Sequence, residues 1–284
     1  MSWQVLISIS VVTYSVSVLL QRVLLREENS HPVAFSILFQ LIIGTLIGIF
    51  TIVFYGIKFP SNLSTLWINI ALCVVLYVFY NLYVYKALKE LEASKFSIAL
   101  SSRVLFTALA SSVFLGESLK GTQIIGAALI LFAVVLINFN KKVFSFGHGE
   151  RLALTAAVFL GLANTNDRII LKSFDLYTYV TFAFLTPAIF LALANPKEIK
   201  NIKSYLQSKI FFKLIILGVI FSVGSLTFFA ALKVGSNSSQ VTVANLTSVV
   251  LTVLLSLIFL KETDNWFRKI LGAALCFIGL VLVS

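Results

Sequence analysis

Long apolar runs separated by short polar breaks dominate the sequence. Ten such runs are each close to the ~20 residues that a helix needs to cross a bilayer. They cover residues 3–21, 34–55, 66–85, 96–115, 121–139, 152–171, 177–194, 210–231, 239–260 and 267–283. Inside hydrocarbon only helices and closed barrels satisfy every backbone group, and continuous apolar runs of this length are typical of helices. The pattern therefore predicts an all-α integral membrane protein with ten transmembrane helices.

The composition agrees with a chain that lies almost wholly within a membrane. Of the 284 residues, 59% are hydrophobic and 12% are charged, and the mean hydropathy is +1.01. Ordinary soluble chains carry about 25% charged residues. Ten spans leave only short connections, which excludes a large extramembrane catalytic or ligand-binding domain. A net charge of +11 in such a chain is typical of topology signals, so we expect no nucleic-acid partner.

The sequence contains none of the common catalytic or cofactor motifs. HExxH, GxSxG, P-loop and GxGxxG patterns are absent. Cys73 and Cys276 lie inside apolar runs, as buried cysteines do. The first charged residue is Arg22, so residues 1–21 lack the basic start of a signal peptide and are interpreted as a retained first helix. We therefore predict no enzymatic activity, no metal site and no cofactor.

The second half of the chain repeats the first. The segments 114–117 (FLGE) and 126–129 (GAAL) reappear as 259–262 (FLKE) and 272–275 (GAAL), at an offset of 144 to 146 residues. This offset divides the chain into residues 1–145 and 146–284, each with five spans. Because five is an odd number, the second half must enter the bilayer from the opposite side. The sequence thus predicts two inverted-topology repeats, with a substrate site near the midplane where they meet, as in many secondary transporters.

These motifs resemble those of the EamA-type transporters of the drug/metabolite transporter superfamily. FLGE closes the fourth span, FLKE closes the ninth, and the two GAAL segments lie in the fifth and tenth, so the resemblance covers both halves. It implies a ten-helix carrier that moves small metabolites, often amino acids or their relatives, by alternating access. The chain departs from the family pattern at Arg103-Val104, where many members have a Ser-Pro pair.

The basic residues are distributed unequally between the two sides of the membrane. Sixteen of the 22 lysines and arginines lie beside the connections 1–2, 3–4, 5–6, 7–8 and 9–10, five lie on the other side, and Arg103 lies within the fourth span. The positive-inside rule places those connections in the cytoplasm and both termini outside. The family resemblance implies the reverse orientation. In either case we expect a multi-pass protein of the plasma membrane, the inner membrane of the cell.

Polar side chains recur at helical spacing on several spans, and such stripes face the interior of a helix bundle. The candidate residues for substrate binding and translocation come from corresponding spans of both halves. They are Tyr14, Ser17, Tyr77, Tyr80, Asn81, Arg103, Asn164, Asp167, Ser225, Phe228, Asn245 and Ser248. The alternative is that the serine and asparagine side chains join neighbouring helices to one another.

Arg103 is the strongest chemical signal, because a guanidinium near the middle of a span is costly unless it meets an anion or water. Its planar fork suits a carboxylate or phosphate, and a substrate such as an amino acid would supply one. Alternatively, Arg103 forms a structural ion pair with Asp167 of the sixth span, or snorkels along hydroxyl groups. Asp167 could instead carry a coupling proton, although the adjacent Arg168 favours the ionised carboxylate.

These observations predict a secondary transporter of small polar metabolites, with amino acids first among them. The small-molecule substrate and the membrane lipid are its expected partners, and one chain is expected to function as a monomer. Alternatives are a flippase for a lipid-linked sugar, an exporter of cationic or aromatic drug-like compounds, and a channel.

Overall fold

The computed structural model describes residues 1–61, 63–115, 121–138, 146–234 and 238–283, and all regular structure within them is helical. The helices are α1 (Trp3–Leu25), α2 (Pro32–Phe54), α3 (Leu63–Glu90), α4 (Ala93–Ser101), α5 (Arg103–Leu115), α6 (Gly121–Asn138), α7 (His148–Leu171), α8 (Leu176–Ala194), α9 (Pro196–Asn201), α10 (Ser208–Val234), α11 (Ser238–Phe259) and α12 (Trp266–Val283). A short 3₁₀ helix, Ile202–Tyr205, follows α9.

Six segments of the described chain are long and apolar enough to cross a membrane. They are Trp3–Leu25, Pro32–Phe54, Leu63–Glu90, Ala93–Phe114, Leu176–Ala194 and Lys209–Ala231. Two further apolar helices, Ile124–Leu136 and Ala244–Phe259, are shorter. The protein is therefore helical and crosses the membrane several times, as the sequence predicts, while the count of ten spans stays a prediction.

The fourth predicted span is one continuous helix in the sequence pattern, but the structure interrupts it. α4 ends at Ser101, a turn lies at Ser102, and α5 begins at Arg103. The Ser101 hydroxyl donates to the Ile98 carbonyl at 2.6 Å, and the Ser102 hydroxyl donates to the Ala99 carbonyl at 2.7 Å. Such back-bonding competes with the helical ladder and bends helices. The fourth predicted span is present as one apolar segment, Ala93–Phe114, with a turn at Ser102 that hydropathy does not register.

Helices of the two halves pack directly on one another. The most extensive helix pairs are α3 with α7, α6 with α12, α1 with α10, and α2 with α8. Gly161 permits the closest approach between α7 and α5, because a Cβ there would lie 2.6 Å from the Arg103 carbonyl oxygen. The first turn of α5 therefore lies directly against α7.

The lysine-rich connection between α8 and α10 is fastened to the turn that precedes α2. The backbone N–H of His31 donates to the Tyr205 hydroxyl at 2.7 Å, and that hydroxyl donates to the His31 carbonyl at 3.2 Å. Burial raises the pKa of Tyr205 to about 12, so the hydroxyl keeps its proton at physiological pH and this link persists.

Candidate substrate cavity

A cavity of about 110 Å³ lies between helices of the two halves. An engineered cavity of ~150 Å³ in another protein holds benzene, so this space is of the size of a small organic molecule. Nine of the twelve predicted site residues line it, namely Tyr14, Tyr77, Tyr80, Asn81, Arg103, Asn164, Ser225, Phe228 and Asn245. The polar stripes of separate helices are thus brought together in one place.

Arg103 contributes a positive charge to the cavity wall. Its Nε is buried without a hydrogen-bond partner, and the structure shows no hydrogen bond or salt bridge from its side chain to another described residue. The carboxylates that form salt bridges within the described chain are those of Glu90 and Glu92. A buried N–H that lacks an acceptor is costly, so a ligand carboxylate in the cavity would supply what the protein does not.

Side-chain amides line the same space and also join helices. Gln40 donates to the Asn81 Oδ1 at 2.9 Å and to the Tyr85 hydroxyl at 3.2 Å. Asn245 donates to the Ser10 hydroxyl at 3.0 Å, which links α11 with α1. Asn81 and Asn245 each bridge two helices and also line the cavity.

Aromatic rings form much of the remaining wall. The rings of Tyr14 and Phe221 lie 5.4 Å apart, and those of Tyr77 and Tyr80 lie 6.2 Å apart with their planes nearly perpendicular. Packed pairs of this kind hold their side chains in fixed orientations. The cavity therefore presents planar apolar faces beside a small number of placed polar groups, as ligand sites usually do.

Asp167 lies in a different place from Arg103. Its Oδ2 accepts the Tyr77 hydroxyl at 2.7 Å, and its Oδ1 accepts the Tyr179 hydroxyl. Asp167 lines a separate cavity of about 30 Å³, whose wall also includes Asn164 and Arg168. The structure does not contain the Arg103–Asp167 ion pair that the sequence left open, because both carboxylate oxygens are turned to tyrosines.

Besides Asp167, two predicted residues lie outside the main cavity. The Ser17 hydroxyl donates to the Thr13 carbonyl of its own helix at 2.7 Å. Ser248 lines a narrow cavity of about 20 Å³ beside Tyr14 and Arg103, and its carbonyl accepts the Ser15 hydroxyl at 3.1 Å. The Ser17 hydroxyl thus bonds within α1 and does not join neighbouring helices.

The sequence analysis missed polar residues that line the cavity, chiefly Gln40 and Tyr85. Gln40 is almost fully buried in α2 and is the only amide side chain in the apolar run 34–55. A single amide in such a run marks an inward face, so the signal was present. Tyr85 carries no comparable signal, since aromatic residues are frequent throughout the chain.

Glu262, the glutamate of the FLKE segment in the second half, forms hydrogen bonds with α4. The Glu262 carboxylate accepts the backbone N–H groups of Ala93 at 3.0 Å and Ser94 at 3.4 Å, so it caps the start of α4. Lys269 of α12 is 1% exposed and pairs with Glu92 at 2.8 Å. The corresponding Glu117 of the first half lies outside the described residues. In the second half, Glu262 and Lys269 therefore connect α12 and the segment before it to the start of α4.

Comparisons with known proteins identify the family. The sequence profile of the EamA-like transporter family matches residues 1–139 and residues 148–284. The chain belongs to the EamA-like transporter family. This membership confirms the resemblance that the FLGE, FLKE and GAAL segments indicated, and makes the protein a membrane transporter of the drug/metabolite type.

Two further similarities accompany the EamA match. An uncharacterized protein of Methanocaldococcus jannaschii is 32% identical over 133 residues, which are 47% of this chain and 93% of that protein. A solved crystal structure superposes with a TM-score of 0.65 at 18% identity, covering 98% of this chain and 96% of the other. The latter similarity concerns the fold alone.

Proposed function

We propose that this EamA-family protein carries small polar metabolites, amino acids first among them, across the plasma membrane by alternating access. The observation that carries the proposal is the unpartnered guanidinium of Arg103 in a cavity lined by both halves. Such a group is expensive inside a membrane protein unless it serves a ligand.

The pattern of helix contacts supports two inverted repeats of five spans each, residues 1–145 and 146–284. In this scheme α7 corresponds to α1, and α10 corresponds to α3. α1 packs on α10 and α7 packs on α3, so exchanging the halves leaves the pattern unchanged. α2 with α8 and α6 with α12 are pairs of corresponding helices. The archaeal relative, which matches about half of this chain over nearly its own full length, agrees with a duplication.

The cavity chemistry suits an amino acid. The guanidinium of Arg103 would bind the carboxylate, and the amide oxygens of Asn164 and Asn245 would accept from the ammonium group. Among the described residues that line the main cavity there is no aspartate or glutamate. This absence of a counter-charge disfavours the alternative of a cationic drug-like substrate.

The remaining parts of the proposal concern placement in the membrane. The excess of basic residues beside the connection between α1 and α2 and its equivalents favours a cytoplasmic location for that side, with the termini outside. Because one chain contributes both halves of the cavity, a monomer suffices for transport. The test is a reporter that is active only in the cytoplasm, fused to Ser284. Activity of this fusion would show that the C-terminus is cytoplasmic and would contradict the proposed orientation.

The test is counterflow in sealed vesicles that contain only this protein. We expect saturable exchange of at least one labelled amino acid from a panel that also includes nucleosides and amines. Arg103→Leu should reduce the exchange to the level of protein-free vesicles. Arg26→Leu is the matched control, because Arg26 is exposed at the end of α1, and it should leave exchange unchanged.

Three results would contradict the proposal. Linear, unsaturable flux would indicate a pore. Exchange of amines alone would favour the export of cationic compounds. Wild-type exchange by Arg103→Leu would show that Arg103 does not bind the substrate.

A further inference from the structure

Asp167 is a buried carboxylate that the proposed binding of substrate does not use. It is 4% exposed and lies where three helices converge, α7 with α3 and α8. Its oxygens accept from Tyr77 and Tyr179, which are neutral donors. No lysine, arginine or histidine of the described chain lies within salt-bridge distance of it. A buried carboxylate without a cation is costly, and taking up a proton removes that cost.

Apart from Arg168, the described residues that face Asp167 or line the adjoining cavity carry no charge that could balance it. Tyr77 and Cys73 face the site from α3, with the Cys73 sulfur 3.5 Å from the Tyr179 hydroxyl on α8. Thr107 of α5 and Phe228 and Phe229 of α10 line the adjoining cavity and do not ionise. Arg168 also lines that cavity but forms no ion pair with its neighbour. Both hydrogen-bond partners of the carboxylate are tyrosine hydroxyl groups, which can both donate and accept a hydrogen bond.

The position of Asp167 connects the carboxylate to the substrate cavity through one side chain. Tyr77 donates to Asp167 and also lines the main cavity. The small cavity of about 30 Å³ beside Asp167 has room for about one water molecule, and it shares Asn164, Phe228 and Phe229 with the main cavity. A change at the carboxylate thus reaches the substrate site by a single hydroxyl.

We propose that Asp167 is the proton-binding site that couples transport to a proton gradient. A proton from the aqueous buffer bonds to one carboxylate oxygen, Asp167 becomes neutral, and the reverse step returns the proton to water. When the proton is on Oδ2, the Asp167 carboxyl group donates to the Tyr77 hydroxyl. The hydrogen of the Tyr77 hydroxyl then turns toward the main cavity. The substrate then meets a donor in the protonated state and not in the ionised state. This coupling rests on the proposed transport function.

The proton site is tested without any substrate. Infrared difference spectra of the protein in lipid, recorded between about pH 5 and about pH 9, should show the C=O stretch of a protonated carboxyl. Asp167→Asn should remove that band. Asp175→Asn should keep it, because Asp175 caps α8 through its Oδ1 and asparagine caps equally well. A spectrum that Asp167→Asn leaves unchanged overturns the proposal.

The coupling is tested in vesicles with the labelled amino acid that gives counterflow. An imposed pH gradient should drive accumulation in the wild type. The ratio of accumulation to counterflow should fall to background in Asp167→Asn and stay at the wild-type value in Asp175→Asn. Counterflow without pH-driven accumulation in the wild type contradicts the coupling. If no counterflow occurs, the transport function fails, and the infrared result still decides whether Asp167 binds a proton.

Discussion

Arg103 and Asp167 are both charged side chains inside a helical membrane protein, yet their surroundings differ completely. Asp167 has a hydroxyl donor for each carboxylate oxygen, whereas Arg103 has a buried Nε with no acceptor. A charge whose hydrogen bonds are complete contributes to the fold, and removing it leaves its partners unsatisfied. A charge that lacks a partner contributes little to the fold and is available to a ligand. The difference separates a residue whose hydrogen bonds join three helices from one whose buried Nε has no acceptor among the described residues.

The largest expected effect comes from removing each charge in turn. Asp167→Leu should lower the free energy of unfolding by about 2–6 kcal/mol, because two buried tyrosine hydroxyls each lose an acceptor. Arg103→Leu should leave stability unchanged or raise it, since no partner is lost. Thermal unfolding in detergent measures both variants. Equal destabilisation by the two would mean that Arg103 has a structural partner after all.

A double-mutant cycle sharpens the same comparison. Asp167→Asn combined with Tyr77→Phe should show a coupling of about 1.5–3 kcal/mol, as expected for a hydrogen bond to a charged group. Asp167→Asn combined with Arg103→Leu should be additive within about 0.5 kcal/mol. The free energy of unfolding of all variants is measured at one and the same pH. A large coupling in the second pair would restore the ion-pair hypothesis.

The close contact at Gly161 offers a way to move Arg103 without changing it. Gly161→Val places a side chain against the Arg103 carbonyl oxygen and the Phe106 Cβ, each of which lies 2.6 Å from the point that a Cβ of residue 161 would occupy. Overpacking of this kind costs about 1–3 kcal/mol, and counterflow should fall as α5 shifts. Gly121→Val is the control, because nothing lies within 4 Å of its Cβ position. Normal counterflow by Gly161→Val would show that the position of α5 is unimportant.

The smallest effect is expected at the turn between α4 and α5. Ser102→Ala removes the hydroxyl that bonds the Ala99 carbonyl and should weaken apparent substrate affinity about two- to fivefold, which corresponds to about 0.5–1 kcal/mol. The concentration for half-maximal counterflow measures this change. Ser8→Ala removes an exposed hydroxyl with a similar backbone bond and should have no effect. Equal effects in both variants would assign the change to serine back-bonding in general.

The sequence predicted those features that depend on the length and periodicity of apolar runs. The long apolar helices, the duplication and nine cavity residues follow from local patterns, because the bilayer sets helix length and polar stripes turn inward. The partners of Asp167 could not be predicted in this way. Tyr77 precedes it by 90 residues, and only the packing of α3 on α7 brings the two together. The break at Ser102 was missed for a different reason, since it depends on hydroxyl competition at two adjacent serines.

The turn at Ser102 has a mechanical consequence for the guanidinium beside it. α4 packs mainly on α11 and α7, and its first residues are held by Glu262, whereas α5 packs mainly on α7. Arg103 is the first residue after this turn. A rotation of α5 relative to α4 about Ser102 would therefore redirect the guanidinium, while the backbone hydrogen bonds inside each helix stay intact.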